Sequence, residues 1–199
     1  MPNAIANFGE SVNAGIGKSG QNDDLVHLGG VFKLTCYDVD GNLKWEDEYH
    51  NLVVSQGLAD LNAKYFKGSS YNAAWYLGLI TYPGSTVTFA AADTLASNSW
   101  TEFTSYTGGT TSSDRVTVSF GTATTATPSV IANTTATGGS PAVYTINASG
   151  SIAGAFLTTV QAKSTTGGVL FSEGNFTGGF KGVASGDTVN VTYTFTANV

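Results

Sequence analysis

Apolar and polar residues alternate along much of this chain. Over Val31–Tyr37 the side chains of Phe32, Leu34 and Cys36 fall on one face. Over Leu43–Tyr49, Leu43, Trp45 and Tyr49 share one face, while Lys44, Glu46, Glu48 and His50 share the other. A period of two is that of a strand with one side buried. Between the runs lies Asp38-Val39-Asp40-Gly41-Asn42. Asp-Gly tolerates the positive φ of a tight turn, so the segment predicts a β-hairpin with Asp40-Gly41 as a two-residue loop. That loop sets a register with Cys36 opposite Trp45, Phe32 opposite Tyr49 and Lys33 opposite Glu48, pairing like with like and cation with anion. Asp47, opposite Leu34 on the apolar face, is the one misfit.

The strictest alternation runs from Asp187 to Thr196, with Val189, Val191, Tyr193 and Phe195 on one side and Thr188, Asn190, Thr192, Thr194 and Thr196 on the other. Arg115–Phe120 follows the same rule, and Ala142–Asn147 predicts a strand opened by Pro141. Ile152–Val160 is small or apolar on both faces, as a central strand would be. Gly168–Phe171 and Gly178–Val183 predict shorter pieces. Ala73–Ile80 is nearly continuous apolar sequence ending at Tyr82-Pro83-Gly84, which predicts a buried strand and a turn. One segment has helical spacing: Val54, Leu58, Leu61 and Tyr65 predict a helix over 54–66 that plugs one end or side of a sheet. Ser55 is its expected N-cap and Gly68 its stop. Residues 84–114 read as a long loop with short strands, and a loop of that length is usually functional or contact-making.

The pattern predicts an all-β protein, mainly β with one short helix: an antiparallel β-sandwich, jelly-roll-like or barrel-like. Residues 1–28 are rich in Gly, Asn and Ser without sustained periodicity and predict an extended N-terminal arm, ordered only where something holds it. Residues 29–199 predict a single β-rich domain.

Composition narrows the function. The 199 residues suit one domain with an arm. Charged residues make up 11%, against roughly 25% in an ordinary soluble protein, so the surface is neutral and hydroxyl-rich. Eight basic against fourteen acidic residues leave a net charge of −6, which argues against nucleic acid as a partner. The single cysteine, Cys36, excludes an intrachain disulfide and is expected to be a small buried hydrophobe. Met1-Pro2-Asn3-Ala4 lacks the basic and apolar regions of a signal peptide, and no apolar run approaches the ~20 residues of a membrane span.

Candidate chemistry is sparse. Gly15-Ile16-Gly17-Lys18-Ser19 has Val12 where a phosphate-binding loop needs its first glycine. Read as a calcium loop from Asp38, the segment puts Gly41 fourth and Tyr49 twelfth, where glycine sixth and glutamate twelfth are required. Glu46 and Glu48 share their polar face with Lys44 and His50, the pattern of a solvated surface. His27 and His50 have no zinc-ligand partners at motif spacing. The expectation is a protein without catalytic residues, cofactor or metal, and not an enzyme.

The order of several short motifs is more specific. Trp75-Tyr76-Leu77-Gly78-Leu79-Ile80 is followed by Ala92-Asp93-Thr94-Leu95-Ala96-Ser97 and Trp100-Thr101-Glu102. Then come Arg115-Val116-Thr117-Val118-Ser119-Phe120-Gly121, Gly154-Ala155-Phe156-Leu157-Thr158-Thr159 and Ser185-Gly186-Asp187-Thr188-Val189-Asn190-Val191-Thr192-Tyr193. Over roughly residues 30 to 199 this order resembles the small structural proteins of tailed-phage virions, of the capsid decoration or cement kind. The resemblance implies a place on the capsid surface of a virion, synthesis in the host cytoplasm, and no reaction. It implies the major capsid protein and copies of the chain itself, as a dimer or trimer, as partners. Phe8, Ile16 and Lys18 in the arm, with Trp100, Phe103 and Tyr106, are the candidate contact residues. The alternatives are a tail or head-fibre protein that contacts a host-surface receptor or glycan, and a carbohydrate-active enzyme using Glu46, Glu48 and Glu102.

Overall fold

The computed structural model describes residues 26–71, 74–81, 87–108 and 111–198. Two long strands, β1 (His27–Tyr37) and β2 (Leu43–His50), form the expected hairpin. Phe32 pairs with Tyr49, Lys33 with Glu48, Leu34 with Asp47 and Cys36 with Trp45, the register read from the sequence. The turn differs. Gly41 N–H donates to the Asp38 carbonyl (3.0 Å), Asp38 N–H donates to that of Asn42 (2.9 Å), and Gly41 has a φ of +83°. The loop is therefore the three residues Val39-Asp40-Gly41, a turn followed by a left-handed glycine. The extra residue is absorbed by a bulge: Tyr37 pairs with Leu43 while Cys36 pairs with Trp45, leaving Lys44 between them. Lys33 bonds diagonally to Glu46 (3.1 Å) rather than to Glu48. His27 and Leu28, assigned from the sequence to the arm, are strand residues paired with Asn198 and Ala197.

The last strand, β14 (Thr188–Asn198), pairs with β1 along its whole length. Its other edge is shared by β9 (Ala142–Ile146) and then by β8 (Ser129–Ala132), a strand in the Thr-rich segment that the sequence pattern did not predict. With β6 (Tyr106–Thr107) beside β9, the first sheet runs β2-β1-β14-β9-β6. The second sheet is built from β3 (Leu52–Val53), β12 (Leu170–Asn175), β11 (Gly154–Thr158), β4 (Tyr76–Thr81) and β5 (Thr101–Phe103), in that order. A short β7 (Val116–Thr117) also pairs with β4. The strand predicted over Ile152–Val160 is divided at Ala153: β10 (Gly150–Ile152) pairs with β13 (Lys181–Val183) in a separate ribbon. All these pairs are antiparallel, and the two sheets pack as a sandwich. The chain passes from sheet to sheet at both flanks. Only Asn51 separates β2 from β3, and only Thr104 and Ser105 separate β5 from β6.

Between the sheets, Phe32, Leu34, Val189, Val191, Tyr193 and Tyr144 from the first meet Leu77, Leu79, Ala155 and Leu157 from the second. A further cluster fills the opposite face of the second sheet: Ile80, Phe156 and Leu170 lie under Val54, Val87, Leu95 and Trp100. The second sheet is thus covered on both sides, so β11 is buried at every residue, whereas β1 and β14 alternate. Gly78 stands opposite Phe156, where a β-carbon would lie 2.3 Å from the ring. Asp47, the misfit in the hairpin, forms an ion pair with Lys181 (3.1 Å) of β13.

The helix α1 (Ser55–Tyr65) matches its prediction in extent but not in orientation. Val54 is its N-cap residue and no side chain caps it; Ser55 N–H instead donates to the Ala91 carbonyl (2.7 Å). Gly57 lies so close to β12 that a β-carbon would sit 2.5 Å from the Phe171 carbonyl oxygen. At the other end Gly68, with φ +69°, lets Ser69 N–H reach back to the Ala63 carbonyl (3.1 Å), the expected stop. The apolar stripe expected to face the core does not do so throughout: Leu61 packs on the core, but Leu58 and Tyr65 are exposed.

Candidate functional site

Along α1, Asp60, Leu61, Lys64 and Tyr65 recur one and four residues apart and so share one face. That face forms one wall of a groove of about 590 Å³, within the ~300–1,000 Å³ range of binding pockets. Trp75, entering β4, and Phe171 of β12 form its floor, with ring centroids 5.3 Å apart in an edge-to-face arrangement. Phe120, Ile131 and Phe195 line the far wall. Phe195 lies near the end of β14, where burial falls away after Tyr193, and its ring meets Phe171 edge-on at 5.7 Å.

The groove is chiefly apolar. Its charged residues, Asp60 and Lys64, bond to each other (2.9 Å) with only 15% of each side chain exposed, and the Lys64 ammonium lies 5.6 Å from the Trp75 ring centroid. The rim is different. Tyr65 is 81% exposed and Tyr71 75%. Phe66, 78% exposed, stands edge-to-face on Tyr65 with centroids 5.0 Å apart. Leu58, Tyr65, Phe66 and Tyr71 thus place four exposed large apolar side chains in one short stretch of chain.

Elsewhere the buried charges of Arg115, Glu102 and Asp187 are bound to structural partners, whereas the buried Tyr106 hydroxyl meets no hydrogen-bond partner. The Arg115 guanidinium donates to both oxygens of Glu102 (2.8 and 2.9 Å) and to the Val160 carbonyl (2.9 Å), and Ser164 N–H donates to the same carboxylate (2.8 Å). Asp187 accepts from Lys44, the bulge residue, and from Ala184 N–H (2.7 Å). The Cys36 thiol points at Asp187 (3.8 Å), and burial, with that carboxylate beside it, pushes the thiol pKa up to about 11. Lys163 donates to the carbonyls of Thr104, Tyr106 and Ser112 and lies 3.5 Å from the Tyr106 ring centroid; desolvation holds its pKa below the ordinary lysine value. Glu173 accepts from Trp100 Nε1 (2.6 Å), while its other oxygen meets no donor. Burial raises its pKa to about 8, and the nearby Asp93 carboxylate adds to the rise. Among the described residues no three His, Cys, Asp or Glu side chains gather as metal ligands would.

Three expected contact residues need correction. Trp100, Phe103 and Tyr106 are buried inside the chain. Trp100 stacks on Phe156 (4.7 Å) and Tyr106 meets Tyr144 edge-on (4.8 Å). The long loop that carries Val87, Leu95 and Trp100 covers the outer face of the second sheet, so its apolar residues serve the core. Phe8, Ile16 and Lys18, and the Gly15–Ser19 segment, lie outside the described residues. Glu46 and Glu48 are exposed on the outer face of the hairpin, far in the fold from the buried Glu102 ion pair. Asp38 accepts from the backbone N–H groups of Asp40 and Asn42, and these bonds hold its pKa below the ordinary aspartate value.

The groove itself was missed in the sequence, although one signal was present. Tyr65 and Phe66 set two large aromatic side chains side by side where the helix ends, beyond the stripe of Val54, Leu58 and Leu61 that the helix needs for its own packing. No protein family, curated protein or solved structure matches this chain.

Proposed function

We propose that the chain is a virion structural protein, a decoration protein that binds the outer surface of a phage head and stabilises it, without catalysing a reaction. One observation carries the reading: among the described residues the exposed aromatic side chains are concentrated around an open apolar groove, while the buried charges of Arg115, Glu102, Asp187 and Asp47 are held in internal ion pairs. A rigid, weakly charged sandwich with a concentrated apolar face is suited to assembly. The sequence resemblance over residues 30 to 199 supports the same reading, with the major capsid protein as the partner. A ligand that binds only the assembled shell stabilises it by mass action, and attachment across several shell subunits adds avidity. The test is to prepare particles of the parent phage lacking this chain and to add the purified protein back. The added protein is expected to co-sediment with the heads and raise the temperature at which they release DNA. Heads of unchanged stability that do not retain the protein would overturn the reading.

A second reading, a tail or head-fibre protein that contacts a host-surface receptor or glycan, draws on the exposed rings of Tyr65 and Tyr71, which offer flat faces to a sugar. Selective retention of the purified protein on a glycan array would favour it.

A further inference from the structure

We infer that Glu173 and Asp93 form a proton-operated latch: one proton held between the two carboxyls keeps residues 87–100 on the outer face of the second sheet, and its loss frees them. The latch belongs to the fold and does not depend on where the protein works. Glu173 is part of β12, whereas its two polar neighbours, Trp100 and Asp93, both belong to the covering loop. Among the described residues, the hydrogen bonds of residues 88–99 close mostly within that loop. Asp93 N–H donates to the Ala90 carbonyl (2.9 Å), Ala90 N–H donates to the Asp93 carboxylate (2.9 Å), and Thr94 and Ser97 exchange backbone bonds (2.9 and 3.2 Å). The polar ties that leave the loop are Ser55 N–H to the Ala91 carbonyl (2.7 Å) and the contact at Glu173. The loop is thus a preformed piece laid on the sheet, able to lift without opening the sheets themselves.

The charge at this contact decides whether the loop stays down. Glu173 is fully buried, with one oxygen on Trp100 Nε1 (2.6 Å) and the other without a donor. A neutral carboxyl can turn its proton toward the Asp93 carboxylate. An ionised one would set two anions side by side in a dry site. Among the described residues, the other charged groups on the elements packed there have partners of their own or face water. Arg115, over the Phe156 ring at 5.1 Å, holds Glu102; Lys64 of α1 holds Asp60; Lys181 of β13 holds Asp47. Glu46, Glu48 and His50 of β2 are exposed.

Asp93 is only half-buried, so the proton has a path to water at the loop surface. Burial and the Asp93 carboxylate hold the Glu173 carboxyl near 8 while the loop is down, and a carboxyl freed into water titrates near the ordinary 4.5. Between those two values lifting the loop releases a proton, so rising pH favours lifting by about tenfold per pH unit; above about pH 8 the effect levels off. A lifted loop uncovers Ile80, Phe156 and Leu170, the apolar residues that Val87, Leu95 and Trp100 cover.

Amide hydrogen exchange on the full chain, from about pH 5 to about pH 9 and corrected for the intrinsic pH dependence of exchange, tests the latch. The amides of Ala90, Asp93, Thr94 and Ser97 should lose protection by about tenfold per pH unit up to about pH 8 and little beyond, while those of β1 and β14 stay better protected at every pH. Glu173→Gln keeps an acceptor for Trp100 and has no proton to lose, so protection of its loop should not vary with pH. Asp93→Asn keeps an acceptor for Ala90 N–H and removes the second anion, so its loss of protection should level off at a lower pH than in the wild type. Wild-type loop protection that is constant with pH overturns the latch. So does a Glu173→Gln loop that loses protection as the wild type does. Loop amides that match those of β14 at every pH also overturn it, because the whole fold would then be opening as one.

Discussion

Glu173 concentrates much of what a single residue can do in this protein. It lies in the second sheet between a bonded indole on one oxygen and no donor on the other, with Asp93 close by. An ionised carboxylate there would be poorly compensated, so the group stays protonated at neutral pH, its pKa raised to about 8 from an ordinary 4.5. The consequence for stability has a definite sign. Between about pH 4.5 and 8 the unfolded chain has released this proton and the folded chain has not, so rising pH favours unfolding across that window and has no further effect through this group above it. Glu173→Gln keeps an acceptor for Trp100 and removes the titration. The variant should melt with the wild type near pH 5 and a few °C above it at pH 8, on the order of 2–4 °C per kcal/mol gained. Parallel melting curves across that range would show that this carboxyl does not carry the effect.

At the scale of elements, α1 is fixed by a close approach rather than by its apolar stripe. Gly57 allows the first turn to rest on the Phe171 backbone, and the helix then presents Leu61 inward and Tyr65 outward. Helix propensity alone would favour Ala over Gly by roughly 1 kcal/mol. Here the added methyl would meet a backbone carbonyl, which cannot rotate away as a side chain could. Gly57→Ala is therefore expected to destabilise by about 1–3 kcal/mol in urea unfolding, against propensity, while Asn62→Ala on the exposed side of the same helix should be neutral or slightly stabilising. A stabilised Gly57→Ala protein would mean that the helix sits farther from the sheet. The hairpin shows the converse, local order surviving a local error: the loop is one residue longer than Asp40-Gly41 implied, the Lys44 bulge compensates, and Trp45 and Tyr49 keep their face, while Leu43, beyond the bulge and paired with Tyr37, turns out to solvent instead of sharing it.

At the scale of the whole molecule, the two flanks where the chain crosses between sheets make one cooperative body, and the Arg115–Glu102 pair ties its pieces together. It joins the strand after the covering loop, the residue before β7 and the end of the segment after β11. A buried pair of this geometry is costly to break because the survivor is left charged and uncompensated. Arg115→Met should cost about 3–5 kcal/mol, and adding Glu102→Leu should return much of it. Thermal unfolding of the two variants measures both. Equal losses in the single and double variants would mean that the charge left behind is not the source of the cost.

How much of this was legible in the sequence follows from how far each signal reaches. Alternation records which side of a strand faces a core, and that is a property of the strand itself. The hairpin register, the inward set of β14 and the sandwich class could therefore be read from the residues. What covers the outer face of the second sheet is supplied by segments distant in the chain, and their own composition does not announce the role. Trp100, Phe103 and Tyr106 looked like contact residues in a loop and are core, while Tyr65 looked like core on a helix and is exposed. Spacing along a chain defines a face but not what that face meets. That is decided only when the sheets close, and here it buried the aromatics of a long loop and left open the groove beside α1.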